Sequence, residues 1–262
     1  MEIINHNSGK TSRRTRIRLD QALVDTGLCE SREKAKRAIL AGQVEINGQR
    51  AEKASDWVRP DDQLTITTPD RYVSRGGHKL SGALAAFQLV VKDFIAVDLG
   101  ASTGGFTDCL LQEGASKVYA IDVGQGQLAW KLRQDSRVVV MEKTNARYLL
   151  PAHLPDFQTL ANQVVIDCSF ISLRHLLPSA VALLQRNGKI VALIKPQFEA
   201  GKLEVDRGRG VITDPLIHER VIAELRQYVS NLPNLLWVAA VESSLVGPAG
   251  NKEFFVMLEK TA

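Results

Sequence analysis

The stretch "AVDLGASTGGFTDCL", residues 96–110, decides the fold. An apolar run ends in an acid, Asp98; glycines then bracket small hydroxyl residues, and a helix-forming segment follows. A strand, a glycine loop and a helix start in that order make a cradle for a charged ligand, because loop N–H groups and the helix dipole converge at the strand's carboxyl end. Two phosphate cradles are disfavoured by spacing. A dinucleotide fingerprint needs GxGxxG, and here the glycines read Gly100-x-x-x-Gly104-Gly105. A P-loop needs Lys-Ser/Thr after its glycines, and Gly105 is followed by Phe106.

S-adenosylmethionine suits the loop better, since it carries an ammonium, a carboxylate, a sulfonium and a ribose diol but no phosphate. Gly100, Ala101, Ser102, Thr103, Gly104, Gly105 and Phe106 then form the cradle whose N–H groups meet the carboxylate, and Asp98 offsets the cationic portion. The next strand, "KVYAID", ends in Asp122, placed to accept both ribose hydroxyls. The third, "VVVMEKTNA", ends near Asn145, a partner for the adenine edge. Outward from this loop, "FIAVDLG", "KVYAIDVG", "VVVMEKT", "QVVIDCSF" and "KIVALIKP" are apolar runs separated by helix-length segments. Strands buried on both faces and alternating with helices predict an α/β domain with a mostly parallel sheet, here over 80–262. "LLWVAAVESS" and "EFFVMLEK" add two later strands.

Upstream, "TTPDRYVSRGGHKLSGAL" (67–84) is broken by Pro69, Gly76 and Gly77, which predicts a linker over 69–79 and a helix resuming at Leu80. Residues 17–68 read as a smaller α+β unit. "IRLDQALVDTGL" has helical apolar spacing, and "SREKAKRAILAG" carries Ser31 as N-cap and Gly42 as C-cap. In "QVEINGQRAE", Asn47-Gly48 sits between short alternating runs and predicts a hairpin, because both turn positions need positive φ. Two short helices feeding a hairpin, with Arg32, Lys36 and Arg37 on one helix, resemble the S4 RNA-binding domain. That resemblance implies phosphate tracking along structured RNA.

Composition agrees with such a partner. The chain has 262 residues, 45% hydrophobic and 24% charged, with a net charge of +4 and an isoelectric point near 9.0. "KTSRRTRIR" (10–18) holds five basic residues and no acid, so 1–16 reads as a basic flexible arm, with Arg16 and Arg18 among the RNA-facing residues. Cys29, Cys109 and Cys168 form no CxxC pair, which argues for a reducing, cytoplasmic compartment and no structural metal. No uninterrupted membrane-length apolar span is present.

Strand ends also supply candidate catalytic groups: Asp167 after "VVI", Lys195 after "IVALI" and Glu242 after "VAAV", with Lys79 in "RGGHKL". A ribose 2′-hydroxyl is a weak acid, and a lysine can take its proton only if burial and a second cation favour the neutral amine. "DLGASTGGFTDCL…YAIDVG" resembles motif I of the FtsJ-type RNA ribose methyltransferases, and Lys79, Asp167, Lys195 and Glu242 match that family's Lys-Asp-Lys-Glu tetrad in order. The resemblance implies Lys195 as base, Asp167 and Lys79 positioning it, and Glu242 orienting the lysines or the ribose. "DCSF" lacks the Pro-Pro-aromatic sequence that goes with exocyclic amine methylation, and Cys168 follows an acid rather than a proline.

Taken with "YVSRGGHKL", "LIKPQFEAGK" and "RGVITD", the arrangement resembles the TlyA, or haemolysin A, family of S4-domain ribosomal RNA methyltransferases. It implies S-adenosylmethionine-dependent 2′-O-methylation of ribosomal RNA, of cytidine, in one or both subunits. The alternatives are a non-catalytic ribosome-binding or assembly factor and, last, a membrane-lytic haemolysin. Arg75 and the loop 198–215, with Arg207 and Arg209, complete the expected RNA-facing set; that loop is expected to be mobile and to close over RNA.

Overall fold

The computed structural model describes residues 16–67 and 70–261, and the chain divides into two compact units between Asp70 and Arg71. All but the last residue of the expected basic arm, 1–16, lies outside the described residues.

The first unit runs β1 (Ile17–Arg18), α1 (Leu19–Asp25), α2 (Arg32–Leu40), β2 (Val44–Ile46), β3 (Gln49–Arg50), β4 (Trp57–Val58) and β5 (Leu64–Ile66). The α2 start is as expected: Ser31 Oγ accepts from the Lys34 N–H at 3.3 Å. So is the hairpin: Asn47 and Gly48 hold φ of 52° and 78° between the paired β2 and β3. β5 pairs with the other edge of β2, and β1 pairs with β4. Leu19, Leu23, Ala35, Ile39, Val44 and Val58 close the core beneath.

The second unit begins with α3 (Arg75–Ala86) and continues through β6 (Ile95–Leu99), α4 (Gly105–Gln112), β7 (Lys117–Ile121), α5 (Trp130–Arg133), β8 (Val138–Met141), β9 (Ala161–Ile166), α6 (Leu177–Leu183), β10 (Leu184–Ile194), α7 (Pro196–Glu199), α8 (Lys202–Arg207), α9 (Pro215–Ser230), β11 (Leu235–Glu242) and β12 (Phe254–Lys260). Its sheet has the order β11-β12-β10-β9-β6-β7-β8. β6 to β10 are parallel, and β12 enters antiparallel between β10 and β11. Alternation along each strand feeds two cores. Ala96, Val165, Val191 and Leu193 meet α3 and α4 on one face. Val97, Ile166, Ile190 and Ile194 meet α6 and α9 on the other. The result is a three-layer α/β unit, with the β6–β9 crossover placing a ligand crevice at the carboxyl ends of the central strands.

One boundary moves. The helix expected from Leu80 begins at Arg75, so most of the segment predicted as linker is folded into the second unit. Gly76 and Gly77 read as breakers in sequence. Here Gly77 serves close packing: a Cβ on it would lie 2.3 Å from the Tyr72 ring.

Candidate active site

Two cavities open at that crevice, and the loop after β6 separates them. The first, of about 490 Å3, is lined by Asp122, Gln127, Asn145 and the apolar Ile121, Val123 and Ile171. The second, of about 290 Å3, is lined by Lys79, Thr103, Asp167, Lys195, Glu253 and Arg75, among others. Both share Gly100, Ser102, Asp167 and Ser169, so a ligand in one abuts a ligand in the other.

The loop is fitted tightly. Gly100 holds φ of 87°, and a Cβ there would stand 2.9 Å from Cys168 Sγ and 3.0 Å from the Asp167 carbonyl oxygen. At Gly105, a Cβ would lie 2.3 Å from Ser74 Oγ and 2.9 Å from the Gly77 nitrogen, so the start of α4 rests against the start of α3. Ala101, Ser102, Thr103 and Phe106 also line the second cavity. Gly104 lines neither; it faces Leu128 and Leu132.

Asp122 lies at the end of β7, and its carboxylate accepts from the Ser102 N–H at 2.8 Å and the Gly124 N–H at 2.7 Å. It therefore shapes the loop while lining the first cavity. Asn145 caps the following turn, its side-chain oxygen accepting from the Arg147 N–H at 3.0 Å. The donor set fits an aminoacyl adenosine: apolar walls and Asn145 for the base, Asp122 for the diol, and the start of α4 for the carboxylate.

Asp98 departs from its expected place. It lines neither cavity and is fully buried beneath the loop, where Thr107 Oγ1 of α4 donates to its Oδ2 at 2.7 Å. The alternation that sends Val97 to one core sends Asp98 to the α4 side, so it braces the loop from below rather than meeting a ligand's cation. Burial pushes its carboxyl up to about 7, against the Thr107 hydrogen bond and with help from the charges of Asp167 and Asp122.

Three of the four expected catalytic residues meet. Lys195 Nζ lies 2.7 Å from Asp167 Oδ1 and donates to Ser169 Oγ at 2.9 Å. Lys79, on the first turns of α3, is buried with its Nζ 2.5 Å from Glu253 Oε2. Glu242 does not join them. It is exposed on the outer strand β11, paired with Lys252 at 3.1 Å. Both acids flank the β11–β12 turn, but β12 is the strand next to β10, and its register sets Phe254 against Ile194. Glu253, one residue earlier, thus arrives beside Lys195, while Glu242 stays one strand further out. The rule of searching for acids at the carboxyl ends of parallel strands missed Glu253 because its strand runs the other way; "NKEFF" carried only an acid before an apolar run.

Other features come into view only in three dimensions. Ser169 bridges to Lys195, and Phe170 beside it is 90% exposed at the first cavity with φ of 64°. Cys168 donates to the Leu99 carbonyl at 3.3 Å, and burial pushes its thiol up to about 12, unsuited to a nucleophile. The segment 198–215 carries the end of α7 and all of α8. Glu204 pairs with Arg220 at 2.6 Å, and Asn251 bonds both the Ile212 N–H and the Gly210 carbonyl. Arg207 and Arg209 remain exposed there. In the first unit Arg16, Lys36 and Arg37 are exposed, whereas Arg18 and Arg32 both bond the buried Asp20.

The FtsJ-like methyltransferase family matches residues 72–260. The chain belongs to that family. An S4 domain matches residues 17–64 ahead of it. The chain is 49% identical over 246 residues to YqxC of Bacillus subtilis, named as a candidate rRNA methyltransferase, covering 92% of this chain and 85% of that one. It is 46% identical to TlyA of Mycobacterium tuberculosis, named a 16S/23S rRNA (cytidine-2′-O)-methyltransferase, covering 93% and 90%. A solved Streptococcus thermophilus structure, named as a candidate hemolysin, superposes with a TM-score of 0.70 at 44% identity, covering 95% of this chain and 90% of that one. These likenesses place the chain in the S4-bearing TlyA branch of the family, whose methyl donor is S-adenosylmethionine.

Proposed function

We propose that this protein methylates the ribose 2′-hydroxyl of cytidine in ribosomal RNA of one or both subunits, in the cytoplasm. The observation that carries the reading is the pair of ion pairs, Lys195–Asp167 and Lys79–Glu253, in a cavity that shares a wall with the cofactor cavity. S-adenosylmethionine, when bound, supplies an electrophilic methyl group. Asp167 and Ser169 aim the Lys195 nitrogen; in its neutral form Lys195 takes the proton from the attacking hydroxyl. Lys79, held by Glu253 in the same cavity, supplies a positive charge that steadies the developing alkoxide. Exposed Phe170 offers a ring on which the target base can stack once turned out of its helix. Exposed Arg75 lines the cavity, and Arg207, the last residue of α8, and Arg209 just after it are also exposed; all three are suited to RNA phosphates.

Methyl-labelled S-adenosylmethionine and unmodified ribosomal subunits test this. Alkali cleaves RNA through the free 2′-hydroxyl, so label retained in dinucleotides is the expected result. Label confined to mononucleotides would mean base methylation, and absence of label with either subunit would favour a non-catalytic ribosome-binding factor. Among the described residues no helix is long and apolar enough to cross a bilayer.

A further inference from the structure

On the first unit, β1 and β4 form a two-residue ladder in which Ile17 faces Val58 and Arg18 faces Trp57. Opposed residues of an antiparallel pair share a face. Val58 belongs to the core with Ile17 against it, so Arg18 and Trp57 project together on the outer face. Trp57 is 64% exposed, a large indole surface with no structural duty in the core. Its neighbour Arg18 is fixed in place: Asp20, with no exposed surface, accepts from Arg18 Nε at 3.0 Å and Nη2 at 3.2 Å, and from Arg32 Nη2 at 2.8 Å. The two guanidiniums hold the Asp20 carboxyl down to about 2, so the clamp stays charged at working pH. One carboxylate against two guanidiniums leaves a net positive charge, displayed in a fixed orientation.

We infer that Trp57 is a stacking platform for one unpaired nucleotide of the RNA substrate, with Arg18 and Arg32 taking its flanking phosphates. An exposed indole alone would suit many partners. Beside two pre-oriented guanidiniums it matches the joint demand of a nucleotide, a π-face and an anion a few ångströms apart. The site lies on the first unit, whereas the methyl-transfer cavity lies on the second. That stacking role rests on the reading of the protein as an RNA methyltransferase.

The test uses the full chain and filter binding to unmodified ribosomal subunits and to protein-free ribosomal RNA, each across a salt series. Trp57→Ala is expected to weaken binding to both by about tenfold, with Trp57→Phe restoring most of it. The slope of log affinity against log salt should be unchanged in Trp57→Ala and reduced by about 1 in Arg32→Gln, because only the latter removes a phosphate contact. Binding of Trp57→Ala within about twofold of wild type would overturn the inference. So would a loss on intact subunits that is absent on bare RNA, which would assign the ring to a ribosomal protein. Failure of the wild-type chain itself to bind either RNA would instead overturn the underlying RNA reading.

Discussion

At the scale of single residues, the site depends on which of two glutamates is buried. Glu253 sits on Lys79 inside the cavity, and Glu242 sits on Lys252 in solvent. Removing the charge of a buried partner leaves an uncompensated ammonium, whereas an exposed pair is worth about 1 kcal/mol or less. Glu253→Gln is therefore expected to lower kcat for methyl transfer on the order of a hundredfold through misplacement of Lys79, with cofactor affinity little changed. Glu242→Gln should leave both constants within about twofold, as exposed charges do. Single-turnover kinetics with calorimetric cofactor binding separates the two. Equal losses in both variants would return Glu242 to the catalytic set. The acids 242 and 253 were both visible in sequence, but choosing between them required knowing that β12 runs antiparallel next to β10.

At the scale of elements, burial pattern and turn chemistry are local, so periodicity and punctuation located the seven strands of the second unit's sheet and, in the first unit, both helices and the hairpin, but not the short β1 and β4. They failed where a glycine served packing. Gly77 sits inside α3 because the Tyr72 ring leaves no room for a side chain, and Gly105 of α4 packs against its backbone nitrogen, a packing requirement that looks like a break in one dimension. The segment 198–215 holds more regular structure than its glycines and charges suggested: it carries α8, which is tied to α9 through Glu204 and Arg220. Its exposed arginines stand on that ledge. Arg207→Glu with Arg209→Glu is expected to raise KM for ribosomal RNA by about tenfold or more, by losing phosphate contacts, while cofactor affinity stays put. Unaltered methylation kinetics on ribosomal subunits would remove the ledge from RNA binding.

At the scale of the whole molecule, Asp98 links the cofactor loop to stability. Its carboxyl titrates near 7 when folded but near 3.9 in an unfolded chain. Between those values the folded state holds a proton that the unfolded state has released. Stability therefore falls as pH rises from about 4 to 7 and levels off above, by up to a few kcal/mol from this one group. Denaturant unfolding of wild type and Asp98→Asn at pH 5 and pH 7.5 should show a larger loss in the wild type, since the amide cannot ionise. A parallel loss in both would show that Asp98 is charged throughout. The sequence by itself determined the order of strands and helices, the division into an RNA-binding unit and a methyltransferase unit, and the chemistry of the glycine loop. Those follow from local periodicity, turn residues and spacing. Only the tertiary structure decided that Asp98 lies under the loop instead of at the ligand, that Glu253 and not Glu242 meets Lys79, and that Trp57 shares a face with Arg18. Each of these depends on which strand lies beside which and in what direction, and side-chain pairing across strands is set by that register rather than by position along the chain.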